Sequence, residues 1–193
     1  MVNMKYDCPD ILKNKRLICL DIETTGLDIT KNTIIELGVI EVVGGKVKTE
    51  YTKLFGGGAS PVYLMRNVHK IKDSDRKGKK TFKQCAEKIA EYLSNAVIIT
   101  HNGDGFDIPM IQKKLSEAGY SIQNSKYIDT LKIARKLKHE SNSLGNLCKE
   151  YGIEYGGSDG TRSHRGLEDA YATLDLLYCF INLFHVSCQE KTF

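Results

Sequence analysis

No stretch of this 193-residue chain approaches the ~20 consecutive apolar residues that span a bilayer. Its opening, MVNMKYDCPDILKNK, has no apolar segment of the kind that directs secretion. The expectation is an intracellular, cytoplasmic protein with no membrane contact. Cysteine is present but unpatterned. Cys8, Cys19, Cys85, Cys148, Cys179 and Cys188 include no CxxC pair, and no Cys/His group has zinc spacing. That excludes the common zinc modules. Cys19, Cys85, Cys148 and Cys179 fall at apolar or helical positions, so they read as small buried hydrophobes in a reducing compartment rather than a disulfide framework. Internal repeats and linkers are also missing. No long tail follows the last predicted helix, so a subunit tethered to a polymerase would need another docking surface.

What is present suits one soluble domain over residues 1–193, with its core at about 15–187. Apolar residues make up 41% and charged residues 27%, so a sizeable core is affordable without a disordered fraction. The net charge of +4 is unevenly spread. HKIKDSDRKGKK at 69–80 is basic and turn-like, and KIARKLKH at 132–139 is basic on a predicted helix. Such patches suit a nucleic-acid partner, and equally a solvated face.

The pattern predicts strands at 16–22, 33–43 and 46–55, the last two joined by a Gly44-Gly45 hairpin. TFKQCAEKIAEYLSN is predicted as a helix burying Phe82, Cys85, Ala86, Ile89 and Leu93. AVIITHN reads as a short buried strand. IPMIQKKLSEAG reads as a helix with Pro109 in its first turn and Gly119 at its end. YIDTLKIARKL passes from strand to helix, and SLGNLCKEYG is a helix closed by Gly152. RGLEDAYATLDLLYCFINLF is a long terminal helix with a buried stripe of Leu167, Ala170, Tyr171, Leu174, Leu177, Ile181 and Phe184. This order implies an α/β fold, a mixed sheet covered by helices on both sides.

One detail conflicts with a plain structural reading. The first strand, ICLDIET, is too apolar for an exposed edge, yet it carries Asp21 and Glu23. Residues two apart in a strand share a face. An unpaired charge in an apolar interior costs several kcal/mol, roughly. A hard divalent cation, which prefers oxygen ligands, would compensate such a pair. Three further groups invite the same question. Asp107, in THNGDGFDIPM, follows Phe106 and is either a helix cap or a site acid. His101 and Asn102 lie in the same segment. Asp169, in SHRGLEDAYATL, sits beside the apolar stripe, with His164 about one turn earlier. Asp129, in YIDTLKIAR, reads as a helix-capping or supporting acid.

A strand DxE, a later FD that opens a helix, and a terminal HxxxxD, in that order, resemble the DnaQ-like DEDD exonucleases, in the branch with histidine in its last motif. The resemblance runs from CLDIETTGL to HRGLEDAYATLDLL, and includes IDTLKIAR and the NVHKI segment at 67–71, which looks like the family's Val-His-Gly-Ile. It implies a ribonuclease H-like fold: an antiparallel three-strand meander plus parallel strands, flanked by helices. It also implies removal of nucleotides from single-stranded DNA or RNA 3′ ends, DNA being the favoured substrate, with two Mg²⁺ or Mn²⁺ ions as cofactors. By motif, Asp21, Glu23, Asp107 and Asp169 would hold the ions, Asp21 bridging both. His164 would be the general base, moving in as substrate binds. Thr24, Thr25, Gly26 and Leu27 would receive the terminal nucleotide, with His69, His101, Asn102 and Phe106 also lining its site. Lysines of the 70–80 segment would contact phosphates. A polymerase or a second copy of the chain is the partner that the resemblance allows.

Two departures stand out. HNGDGFD is one residue longer than the usual second motif, which makes Asp104 a rival third acid, and Lys70 replaces the usual glycine. Other readings are a nucleic-acid-binding module with a dead site, a two-carboxylate glycosidase and a metal phosphatase. The first would release no mononucleotides. The second would ignore EDTA, and its chemistry needs only two acids. The third lacks its usual nucleophilic aspartate context.

Overall fold

The computed structural model describes residues 4–58, 67–155 and 165–189, the side chains of 184–189 excepted. A short helix α1 (Asp10–Lys13) precedes the meander β1 (Leu17–Thr24), β2 (Ile34–Val43) and β3 (Lys46–Leu54). Then follow α2 (Asp73–Arg76), α3 (Phe82–Leu93), β4 (Val97–Thr100), α4 (Asp107–Ser116), β5 (Lys126–Asp129), α5 (Thr130–Leu137), α6 (Leu144–Tyr151) and α7 (Gly166–Gln189). The five strands form one sheet in the order β3-β2-β1-β4-β5. β1 is antiparallel to β2 and parallel to β4, and β4 is parallel to β5, the mixed sheet that the sequence implies. Gly44 and Gly45 both take left-handed φ values, 62° and 77°, which a tight hairpin turn requires.

β1 is the central strand, and its composition explains why. Leu17, Ile18, Cys19 and Leu20 are at most 1% exposed. Alternation divides them between two cores. Ile18, Leu20 and Ile22 pack with α3 and α4, whereas Leu17 and Cys19 pack beneath α7. The strand runs two residues further than 16–22, so Asp21 and Glu23 lie within it. Alternation then aims both acids at the α7 side.

The helices follow local signals. Thr81 accepts the Gln84 amide, and the Gln84 side chain accepts the Thr81 amide, a reciprocal cap that starts α3. All five apolar residues expected on its inner face are buried. α7 departs from expectation. It was predicted to bury one stripe, but every residue from 170 to 180 is buried. The reason is that two layers cover it. Ala170, Tyr171, Leu174, Leu177 and Tyr178 face the sheet, while Ala172, Leu176 and Phe180 pack with Ala134 of α5 and Leu147 and Cys148 of α6. Phe184 lies outside the described side chains. Cys8, Cys19, Cys85, Cys148 and Cys179 are buried free thiols, and Cys188 is not among the described side chains. Among the described residues no helix is long and apolar enough to cross a membrane.

The start of α7 lies directly on the strands. A Cβ on Gly38 of β2 would fall 2.0 Å from the Gly166 carbonyl carbon, and one on Gly166 would fall 3.1 Å from the Asp21 carbonyl oxygen. Glycine at these two positions brings the helix backbone against Asp21. Neither neighbour is a side chain that can swing away. Gly38→Ala should therefore destabilise the protein by about 3 kcal/mol, the upper end for overpacking a well-filled site. A urea midpoint within error of the parent protein would contradict this close packing.

Candidate active site

Three elements bring three sets of acids together. β1 supplies Asp21 and Glu23, and a bulge between Glu23 and Thr24 ends its regular pairing with β2. Bulges of this kind commonly redirect side chains beside sites. α4 supplies Asp107 as its first residue. The N-cap position is taken by Phe106, which makes no side-chain cap bond, so Asp107 is not the cap. Its carboxylate reaches β1 instead. Pairing of β1 with β4 stops at Cys19 and Ile99. Beyond that point the Ile22 amide donates to Asp107 Oδ1 at 3.2 Å. α7 supplies Asp169 from its first turn, where the helix N-terminus favours negative charge. Asp169 is 7% exposed and lines one cavity with Tyr155, whose hydroxyl is kept from ionising by burial and then by the Asp169 charge.

These acids sit in one another's field. Burial, then Asp107, Asp169, Glu23 and Glu36, hold the Asp21 carboxyl well above its ordinary value. Glu23 is pushed up to about 9 by burial, then by Asp169, Glu36 and Asp107, with Arg165 opposing. Asp107 is pushed up to about 7 by burial and by Asp129 and Asp169, against its amide donors. Near neutral pH the cluster therefore keeps protons unless a cation displaces them. Among the described residues no three His, Cys, Asp or Glu side chains close to the spacing of a bound ion. The donor set is nevertheless all carboxylate oxygen, which fits hard divalent cations and not soft ones. Asp21, Glu23, Asp107 and Asp169 are the residues that would hold them.

A cavity of about 420 Å³ opens beside the cluster. Asp21 and Asp169 line one side, His101 and Tyr155 another, and residues 143–146 at the start of α6 a third. That size and its few convergent polar groups suit a nucleotide-sized ligand.

The other sequence-predicted residues take varied places. Asp104 is exposed and forms an ion pair with Lys132, so the geometry groups Asp107, not Asp104, with the other acids. Thr24 donates to the Gly26 carbonyl at 2.8 Å, and Thr25 donates to Asn32 Oδ1 at 3.0 Å. Asn32 crowds Gly26, where a Cβ would lie 2.6 Å from Oδ1. These contacts fix the loop that presents Leu27, which is 68% exposed. His101 Nε2 donates to the Asn142 carbonyl at 3.0 Å, and its Nδ1 lies in hydrogen-bond contact with the Thr130 hydroxyl at 2.8 Å. Burial lowers its pKa, so it is held as a neutral ring. Asn102 is exposed at a φ of 65°, and Phe106 packs against the core. His69 departs from a pocket-lining role: it is fully buried, and its Nδ1 accepts the Ile71 amide at 3.0 Å. His164 lies outside the described residues.

Three contributors escaped the sequence reading in whole or part. Glu36 is fully buried and pairs across the sheet with Glu23. It accepts the Gly166 amide at 3.2 Å and meets the Arg165 guanidinium at 3.3 Å, fastening the start of α7 to β2. A glutamate between Ile35 and Leu37 in a mostly apolar, buried strand is the signal, the same oddity that singles out Asp21. Asp129 was expected as a capping or supporting acid, and it is both. It accepts the Leu131 amide at 2.9 Å, and those of Asn102 and Asp104 at 2.8 and 3.2 Å, holding the 102–104 turn beside α4. Tyr155, in a glycine-rich stretch with no periodicity, gave no signal.

Comparison with known proteins agrees with this picture. Residues 18–177 match the family model RNase_T, described as an exonuclease. The chain is 34% identical over 177 residues to the DNA polymerase III subunit epsilon of Buchnera aphidicola, covering 84% of this chain and 71% of that protein. It is 27% identical over 182 residues to the PolC-type DNA polymerase III of Thermotoga petrophila, covering 94% of this chain but only 13% of that far longer protein. The fold superposes on E. coli Exonuclease I, solved with a dT13 oligonucleotide, with a TM-score of 0.76 at 17% identity. That match covers 89% of this chain and 43% of the other.

The acid cluster makes stability depend on pH in a definite direction. Folding raises the Asp21, Glu23 and Asp107 carboxyl pKa values, so between about pH 4 and pH 9 these three groups bind more protons in the folded chain than in the unfolded chain. Without divalent ions, stability should fall as pH rises through that window. Asp21→Asn should be the more stable protein there, by a margin that grows with pH. Thermal melts in EDTA across the window test this, and an Asp21→Asn protein less stable than its parent at pH 8 would contradict it.

Proposed function

The chain belongs to the RNase_T exonuclease family, and on that premise we propose that it is a metal-dependent 3′-to-5′ exonuclease that releases nucleoside monophosphates from single-stranded DNA. The observation that carries this reading is the gathering of Asp21, Glu23, Asp107 and Asp169 beside a nucleotide-sized cavity. A phosphodiester is a poor electrophile with an unstable alkoxide leaving group. Bound divalent ions such as Mg²⁺ or Mn²⁺ would supply an activated water and charge stabilisation for the departing oxygen. Asp21, Glu23, Asp107 and Asp169 would hold the ions. The Ile22 amide steadies Asp107, and Tyr155 stands in the same cavity as Asp169. His164 accepts the proton of the attacking water, for which an ordinary imidazole pKa of about 6.5 is suited.

The loop of Thr24, Thr25 and Gly26 offers its backbone to the terminal nucleotide, and exposed Leu27 wedges against the base. Asn102 is exposed for a polar contact, and His101 lines the cavity. DNA is favoured over RNA because Exonuclease I was solved with a deoxyoligonucleotide. Trimming of RNA ends is the second reading, since the same acids and cavity would serve it. The likeness to polymerase III epsilon subunits and PolC supports a polymerase as partner.

End-labelled single-stranded DNA and RNA of one sequence, with Mg²⁺ or EDTA, test the reading. Stepwise shortening from the 3′ end, abolished by EDTA and by Asp21→Asn, is expected, faster on DNA. No shortening of either polymer with Mg²⁺ or Mn²⁺ would contradict it. In the same assay Glu36→Gln should lower kcat about 10- to 100-fold, the range for residues that orient metal ligands, with KM little changed. Arg165→Gln should act alike, and the double variant no worse than either single one. Additive losses, or a loss confined to KM, would remove Glu36 from this role.

A further inference from the structure

A second cavity, of about 430 Å³, lies on the opposite face of the sheet from the acids, between edge strand β3 and helix α3. Lys53, Lys80 and Lys88 surround it, and none of the three has an ion pair among the described residues. Lys53 is half-buried there, so part of its hydration is lost without a counter-ion. The floor is apolar and aromatic: Ile89 of α3, and Tyr51 and Tyr92 in edge-to-face contact at 5.9 Å. The acid that touches Tyr92 is paired with a cation. Glu41 accepts the Tyr92 hydroxyl at 3.2 Å and pairs with Arg16 at 2.7 Å. The cavity therefore presents uncompensated positive charge around an aromatic surface, which is the chemistry that holds a strand of nucleic acid.

Its position links it to the acid cluster. Lys53 pairs with Leu37, and Leu37 pairs with Ile22, the residue between Asp21 and Glu23. Two strand spacings, roughly 10 Å, separate Lys53 from that point. Lys80 stands at the same end of the sheet, where its carbonyl accepts the Gly56 amide just beyond β3. β3 is the sheet's edge, so a chain leaving the acids can pass over its end to the other face.

We propose that this cavity is a second nucleic-acid site, which binds a segment of the substrate strand on the 5′ side of the nucleotide being removed. Phosphates meet Lys53, Lys80 and Lys88, and a base lies on Tyr51 and Ile89. The site rests on the reading of the chain as a nuclease, and it supplies affinity for long strands without touching the reacting atoms.

The test uses the Lys53→Met, Lys88→Gln double variant, whose replacements keep side-chain length. Binding of labelled oligothymidylate is measured by anisotropy in an Asp21→Asn background, so that nothing is cleaved. Affinity should fall about tenfold at low salt. Each phosphate contact to a single strand contributes roughly 0.7 to the slope of log affinity against log salt, so that slope should become shallower by about 1.4. In the Asp21 background, hydrolysis of the p-nitrophenyl ester of thymidine 5′-phosphate, too small to reach the second cavity, should be unchanged. Unaltered affinity and salt slope would overturn the proposal, and so would an equal loss on the small ester. If the parent protein hydrolyses neither ester nor DNA, the exonuclease reading fails, while the binding measurement still decides the cavity.

Discussion

Repulsion among a few carboxylates is the constraint around which this molecule is arranged. Asp21, Glu23, Asp107 and Asp169 come from three elements far apart in sequence, yet Asp107 and Asp169 raise the proton affinity of Asp21 and Glu23, and Asp169 raises that of Asp107. No folded chain gathers such charges without cost. Here the cost is met by rigidity elsewhere. The Ile22 amide restrains Asp107, and the interior of β1 holds its own two acids in strand register. A divalent cation would turn the same repulsion into coordination.

The device that makes this possible is the close seating of α7. Gly38 and Gly166 let the helix backbone rest against β2 and β1 with no side chain between them. Glu36 then fastens the helix start through Gly166 and Arg165. Behind that contact, burial of residues 170–180 on both sides anchors the rest of the helix. The carboxylate of Asp169 is thus placed by a glycine pair, a buried ion pair and a two-sided apolar core together.

Much of this was legible in the residues. The mixed sheet followed from an apolar first strand, a Gly44-Gly45 hairpin and alternating later elements, because periodicity and turn chemistry are local properties. Asp21 and Glu23 stood out because charge in an apolar strand needs an explanation. What escaped depended on distance in sequence. Glu36 gains its meaning only from Arg165 and Gly166, well over a hundred residues later. Tyr155 matters only because its loop returns to Asp169. The all-round burial of α7 could not be read from its stripe, since α5 and α6 cover the other side only once folded. His69 shows the converse, a residue marked by motif whose ring the fold places in its interior.

The most direct test of this account is calorimetric titration of the apoprotein with Mn²⁺ at neutral pH in buffers of different ionisation enthalpy. The account predicts two ions per chain, with protons released from the raised carboxyls as they bind. It also predicts that Asp21→Asn abolishes the binding. Absence of binding, or equal binding by Asp21→Asn, would contradict the claim that this cluster exists to hold metal.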